Sequence, residues 1–194
     1  MIIGIPKEVK DNEKRVSLTP YGVSELKNRN HTILIEKDAG LGSGFTDEKY
    51  KQFGATLVDN RADIFSKSDM IIKVKEPQPD EIKLIKENQI IFTFFHFAAD
   101  EALTDGIINT GCNAIAYETV QNDDNSLPIL IPMSEVAGRM AVQNGAKCLE
   151  GNMCGKGKLL GGVPGVDAAT VTVLGGGIVG SNAAKLAAGL GAKV

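Results

Sequence analysis

Three polar side chains and one glycine turn in this sequence have the types and positions to do chemistry. Arg15 stands in "EKRVSLTP", a loop between a first strand and a first helix. Its planar guanidinium fork suits a carboxylate, which it can hold with two parallel hydrogen bonds. Lys75 closes the strand "DMIIKVKEP", where alternation points Lys73 and Lys75 the same way. His96 ends the apolar run "IFTFFHFAA", on the face of Phe92 and Phe94. A histidine in such a place finds a hydrogen-bond partner or loses its charge, and either fate suits an acid–base group. Each has a plainer alternative: a solvated loop arginine, a solvated strand end, a satisfied core histidine. The other histidine, His31, sits in the polar turn "NRNHT" and reads as surface.

The glycine turn is Gly175-Gly176-Gly177-Ile178-Val179-Gly180. It follows the apolar "TVTVL" and precedes the small-residue helix "SNAAKLAAGL". In the Gly-x-Gly-x-x-Gly pattern the first glycine makes a tight turn and the second lets backbone approach a pyrophosphate. The third lets the helix pack closely on the strand. The helix N-terminus then offers its N–H groups to the phosphates. A bare turn is the alternative, and the order strand, turn, helix argues against it. The acid that would hold the adenosine ribose is expected about 20 residues after the glycines. That place falls just past Val194, so the sequence does not separate NAD from NADP. The chain is expected to be the front of a longer enzyme, inactive by itself.

These residues need a scaffold, and the pattern predicts one. Strands are expected at "MIIGIP", "TILIEKDAG", "ATLVD", "DMIIKVKEP", "QIIFTFFHFA", "NAIAYETV" and "TVTVLG". Helical patterns alternate with them, at "PYGVSELKNRN", "DEKYKQFG", "PDEIKLIKEN" and "DEALTDGIINTG". That alternation implies parallel pairing and an α/β fold, and strands apolar on both faces imply a sheet covered on both sides. A long helix, "SEVAGRMAVQNGAKCLEG", follows with Ser134 as its N-cap. Twelve of the 22 glycines then lie after Glu150, forming a loop unsuited to a packed helix or strand. The expected division is an open α/β substrate domain over residues 1–132, then a linking helix and the first βα unit of an incomplete Rossmann domain over 133–194.

Composition narrows the functional classes. The net charge is −3, which gives no electrostatic case for nucleic acid or an anionic membrane. No apolar run reaches spanning length, and the N-terminus reads as a strand rather than a secretory signal. The cysteines, Cys112, Cys148 and Cys154, have no C-x-x-C spacing, so neither a disulfide framework nor a metal site is expected. The chain reads as cytoplasmic.

Six blocks, in order, resemble one family: "IGIPKEVKDNEKRVSLTP", "VKEP", "FFHFAAD", "LPILIPMSEVAGRMA", "LLGGVPGVDAA" and "VLGGGIVGSNAA". The chain is similar throughout to the N-terminal half of the alanine dehydrogenases, a family that includes the nucleotide-binding subunit of proton-pumping transhydrogenase. The resemblance implies that Arg15 and Lys75 bind the substrate carboxylate and carbonyl oxygen, and that His96 is the acid–base residue. It implies that Ser134 contacts the nucleotide and that the turn Gly175, Gly177, Ile178, Val179 and Gly180 lines it. Met133 and Glu118 match positions near the site. Phe95 departs from the family, where tyrosine often precedes the histidine. The implied chemistry is reversible oxidative deamination of L-alanine to pyruvate and ammonia, with NAD as cofactor and small molecules as partners. A homo-oligomer, a hexamer, is implied by the family alone. Two other readings stand beside it: a transhydrogenase nucleotide-binding subunit, and a truncated, non-catalytic module.

Overall fold

A computed structural model describes all 194 residues, Met1–Val194. The chain divides into two compact units, Met1–Val120 and Gln121–Val194, each with its own core.

The first unit is a six-stranded, wholly parallel sheet. Its strands are β1 (Ile2–Ile5), β2 (Thr32–Glu36), β3 (Thr56–Val58), β4 (Met70–Lys75), β5 (Ile90–Phe94) and β6 (Asn113–Ala116), in the order β3-β2-β1-β4-β5-β6. Their β-branched and aromatic runs suit a pleat buried on both faces. One face packs Ile5, Val23, Ile33, Ile35 and Tyr50; the other packs Ile64, Phe65, Ile71, Ile91 and Phe95. The helices start where short polar side chains can accept first-turn amides. Thr19 does so for α1 (Pro20–Asn28), Thr46 for α2 (Asp47–Gln52) and Asn60 for α3 (Arg61–Lys67). Next comes α4 (Pro79–Ile82), and then α5 (Glu101–Thr110), capped by Asp100 and ended by Gly111 in the left-handed region. The strand order reverses between β1 and β4. Open α/β sheets bind ligands at such a switch point, beyond the strand C-termini.

The second unit holds α6 (Ile131–Cys148), a glycine-rich loop, and α7 (Ile178–Gly189). Its core is Val142, Leu160, Ala169, Ala183 and Ala187. Helix α6 starts earlier than expected. Leu130 is its N-cap and Pro132 lies in its first turn, where a missing N–H costs nothing. Ser134 is therefore inside the helix, its N–H donating to Leu130 O at 3.0 Å, and it is not the cap. Pro164 and Gly165 turn the loop back, with Val163 and Val166 exchanging two backbone bonds; Gly165, at φ 87°, supplies the positive φ that such a Pro-Gly turn needs. The expected strand "TVTVLG" has one ladder partner, a parallel bridge of Thr170 to Lys193.

Candidate active site

Lys75 closes β4, His96 follows two residues after the end of β5, and Arg15 lies in the loop that leaves β1. The three are neighbouring strands, spaced roughly 5 Å apart. Arg15 lies in the loop from β1 to α1. Its Nε and Nη2 donate to the two carboxylate oxygens of Glu13 at 2.8 and 2.6 Å, and its backbone N–H donates to Glu13 Oε1 at 2.9 Å. This grip holds the Glu13 carboxyl at about 2, well below the usual carboxylate range, chiefly through the side-chain hydrogen bonds; Lys75 adds a smaller push in the same direction. The guanidinium, raised by the same bonds, also feels Glu8. Arg15 and Lys75 thus share one carboxylate field.

Lys75 does not point the same way as Lys73. The pairing of β4 with β5 runs Ile72 to Phe92 and then Lys75 to Phe94, three steps against two. This is a β-bulge, and the extra residue cancels the alternation. Lys75 takes the face of Ile72 and Phe92, half-buried at the strand end. Lys73 turns inward, wholly buried against Glu8 and Glu81, each at 3.0 Å.

His96 is not on a strand. β5 ends at Phe94, and His96 takes a left-handed φ of 56° that carries the chain out of the sheet. The side chain is exposed rather than buried in the apolar face. Its ring still stacks on Phe94, with centroids 6.0 Å apart. The Glu118 carboxylate accepts the His96 backbone N–H at 2.6 Å, holding this uncommon conformation. His96 borders a cavity of about 340 Å³ with Lys10, Glu76, Phe95, Asp100 and Leu103, where Lys10 pairs with Glu76. Phe95 is wholly buried and stacked on Phe97 at 4.4 Å, so its ring belongs to the core beneath. Tyr117 meets Phe92 and Phe94 edge-on. Burial pushes its hydroxyl upward, with the Glu8 charge adding to the effect.

In the second unit the glycine turn has the geometry the pattern asks for. Gly175 stands at φ 99°. A Cβ on Gly180 would run into the Gly175 carbonyl oxygen, so the third glycine is needed where helix meets turn. A Cβ on Gly177 would meet nothing within 4 Å, so this backbone lies open to its surroundings. Gly177 caps α7, and Ser181 Oγ donates to Gly176 O at 2.8 Å. The first-turn amides of a helix have no acceptor of their own. The turn opens on a cavity of about 630 Å³, lined among others by Val142, Leu149, Val171, Gly175, Ile178 and Gly180. Amides at a helix N-terminus, an open glycine backbone and an apolar wall fit a dinucleotide. Ser134, half-buried, lies in the same unit.

Sequence reasoning missed Glu13, Glu8 and Tyr117. Acids near Arg15 were visible, yet nothing in their spacing says which one grips it.

Known proteins resemble this chain along its whole length. Residues 4–137 match the alanine dehydrogenase/PNT N-terminal domain, and residues 141–194 match the alanine dehydrogenase/PNT C-terminal domain. The chain is 54% identical to alanine dehydrogenase of Methanococcus maripaludis over 194 residues, 52% of that protein. It is 52% identical to the Bacillus subtilis enzyme of the same name, again over its whole length and 51% of that protein. It thus spans about half the length of the curated relatives it matches. A solved L-alanine dehydrogenase superposes with a TM-score of 0.94 at 50% identity, covering 100% of this chain and 54% of that one. A transhydrogenase from Sinorhizobium meliloti superposes at 0.81 with 26% identity, covering 99% and 57%. No helix is long and apolar enough to cross a membrane. With a family model covering most of its length and the fold superposing throughout, the chain belongs to the alanine dehydrogenase/PNT family.

Proposed function

We propose that the protein carrying this chain is an NAD-dependent alanine dehydrogenase, which interconverts L-alanine with pyruvate and ammonia. One observation supports the reading: Lys75 closes β4, while Arg15 and His96 lie in the segments that follow β1 and β5, and these three strands are neighbours at the switch point of a parallel sheet. A guanidinium, an ammonium and an imidazole are what a 2-oxo acid needs around it. The Arg15 guanidinium holds the substrate carboxylate, and Lys75 Nζ donates to the carbonyl oxygen, stabilising the negative charge that grows there. The His96 imidazole takes a proton from the attacking water and returns it in the reverse direction. Residues Gly175, Gly177, Ile178, Val179 and Gly180, with Ser134, would hold the dinucleotide. When bound, its nicotinamide takes hydride from the amino-acid Cα. A homo-oligomer working in the cytoplasm on small molecules completes the proposal.

Alanine-dependent NADH formation by the protein carrying this chain is the direct test. His96→Gln should lower kcat by about 10²–10⁴-fold, the usual scale for a lost proton-transfer group. Lys75→Ala should weaken pyruvate binding while leaving NADH binding intact. A protein that binds NADH but ignores alanine and pyruvate would be a nucleotide-binding subunit of the transhydrogenase kind, to which the chain bears a lesser structural likeness at 26% identity.

A further inference from the structure

The buried charges beneath the site take no part in the chemistry above. Lys73 is wholly buried, where an unpaired ammonium is costly. Its Nζ reaches Glu8 Oε2 and Glu81 Oε1. The other oxygen of Glu8 accepts the Val74 N–H at 2.7 Å. Val74 lies within the bulge, where β4 uses three residues against two on β5. An inserted residue leaves the ladder locally disrupted, and a buried amide needs an acceptor; here Glu8 provides it. Without the bulge, alternation would place Lys73 and Lys75 on one face, both at the site or both in the core. Glu81 cannot replace Glu8, because its second oxygen accepts the Gln78 N–H at 2.9 Å where α4 begins.

We infer that Glu8 is a positioning residue for Lys75: one carboxylate holds both the Val74 amide and the Lys73 ammonium, and so fixes the bulge that sends Lys73 inward and Lys75 to the strand end beside Phe94. Both Glu8 oxygens are taken up by Lys73 and the Val74 amide, so Glu8 acts through the backbone of β4. Its functional consequence rests on the proposed role of Lys75, whereas the bulge geometry does not.

The test compares Glu8→Gln with Glu8→Ala in the protein carrying this chain. Two signals are read: the Lys75–Phe94 cross-strand pairing by NMR without ligand, and pyruvate affinity. In Glu8→Gln the amide oxygen can still accept from Val74, so pairing and most of the affinity should remain. In Glu8→Ala the pairing should be lost and affinity should fall about ten- to a hundredfold, the scale on which small misplacements of a site group act. Where Glu8→Ala leaves the Lys73 charge too poorly paired to fold, the double variant Glu8→Ala/Lys73→Met removes both charges and should still misplace Lys75. Retained pairing and affinity in that double variant would overturn the inference. So would a Glu8→Gln variant as weak as Glu8→Ala, because buried charge rather than the bulge would then be the cause. If pyruvate does not bind the unaltered protein but the pairing depends on Glu8, the positioning inference stands and the substrate role of Lys75 falls.

Discussion

Arg15 already grips a carboxylate, that of Glu13, through the same fork that suits a substrate. The grip orients the guanidinium and makes folding sensitive to acid. Glu13, held at about 2 in the fold against an ordinary 4.5, binds protons less readily when native than when unfolded. Its contribution is therefore complete above 4.5 and is lost as pH falls through about 2. Because nearly half of the Arg15 side chain is exposed, solvent screens the pair and the effect is modest. Thermal midpoints of Glu13→Gln and the parent between pH 4.5 and 2 are the check: the parent should lose more across that window. Equal losses would show that Glu13 carries no linkage.

At the scale of elements, the glycine turn makes the sharper prediction. Gly180→Ala puts a methyl into the Gly175 carbonyl, a backbone atom that cannot rotate away, so the turn must open by a cost of about 1–3 kcal/mol. NADH titration of the variant should show binding sharply weakened, and unchanged affinity would remove the turn from the cradle. The sequence made this turn legible because its meaning is local: each glycine answers to neighbours a few residues away. The strands of the sheet were legible for the same reason, through their short apolar runs. Their ends were not. The apolar run to His96 hid the stop at Phe94, because a left-handed histidine leaves no mark on hydrophobicity. The expected helix "PDEIKLIKEN" shrinks to Pro79–Ile82, with Leu84 and Ile85 packing on the core from the turn that follows it. The bulge at Val74 is the plainest case. It is made by Glu8, more than sixty residues away, and alternation read along β4 alone gives the wrong face for Lys75.

The whole molecule consists of two units whose cores differ greatly in size. The first unit buries large side chains on both faces of its sheet, among them Phe65, Phe95, Tyr50 and five isoleucines wholly out of water. Each such residue contributes about 1.5–3 kcal/mol by leaving water. The second unit rests on Val142, Leu160 and three alanines, while Leu174, Ile178 and Val179 stay exposed. Free energies of opening follow local burial, so the two units should not open together. Native-state hydrogen exchange should give α6 and α7 lower opening free energies than β1, β4 and β5. Leu160→Ala, a core truncation costing about 2–5 kcal/mol, should lower protection in residues 121–194 and leave the sheet of 1–120 as it was. NADH should do the reverse, raising protection at the glycine turn and α7 first, since a ligand stabilises the state that binds it. If α6, α7 and the sheet strands instead share one opening free energy, and Leu160→Ala lowers them all alike, the chain is a single cooperative unit and the smaller core is no weaker part of it.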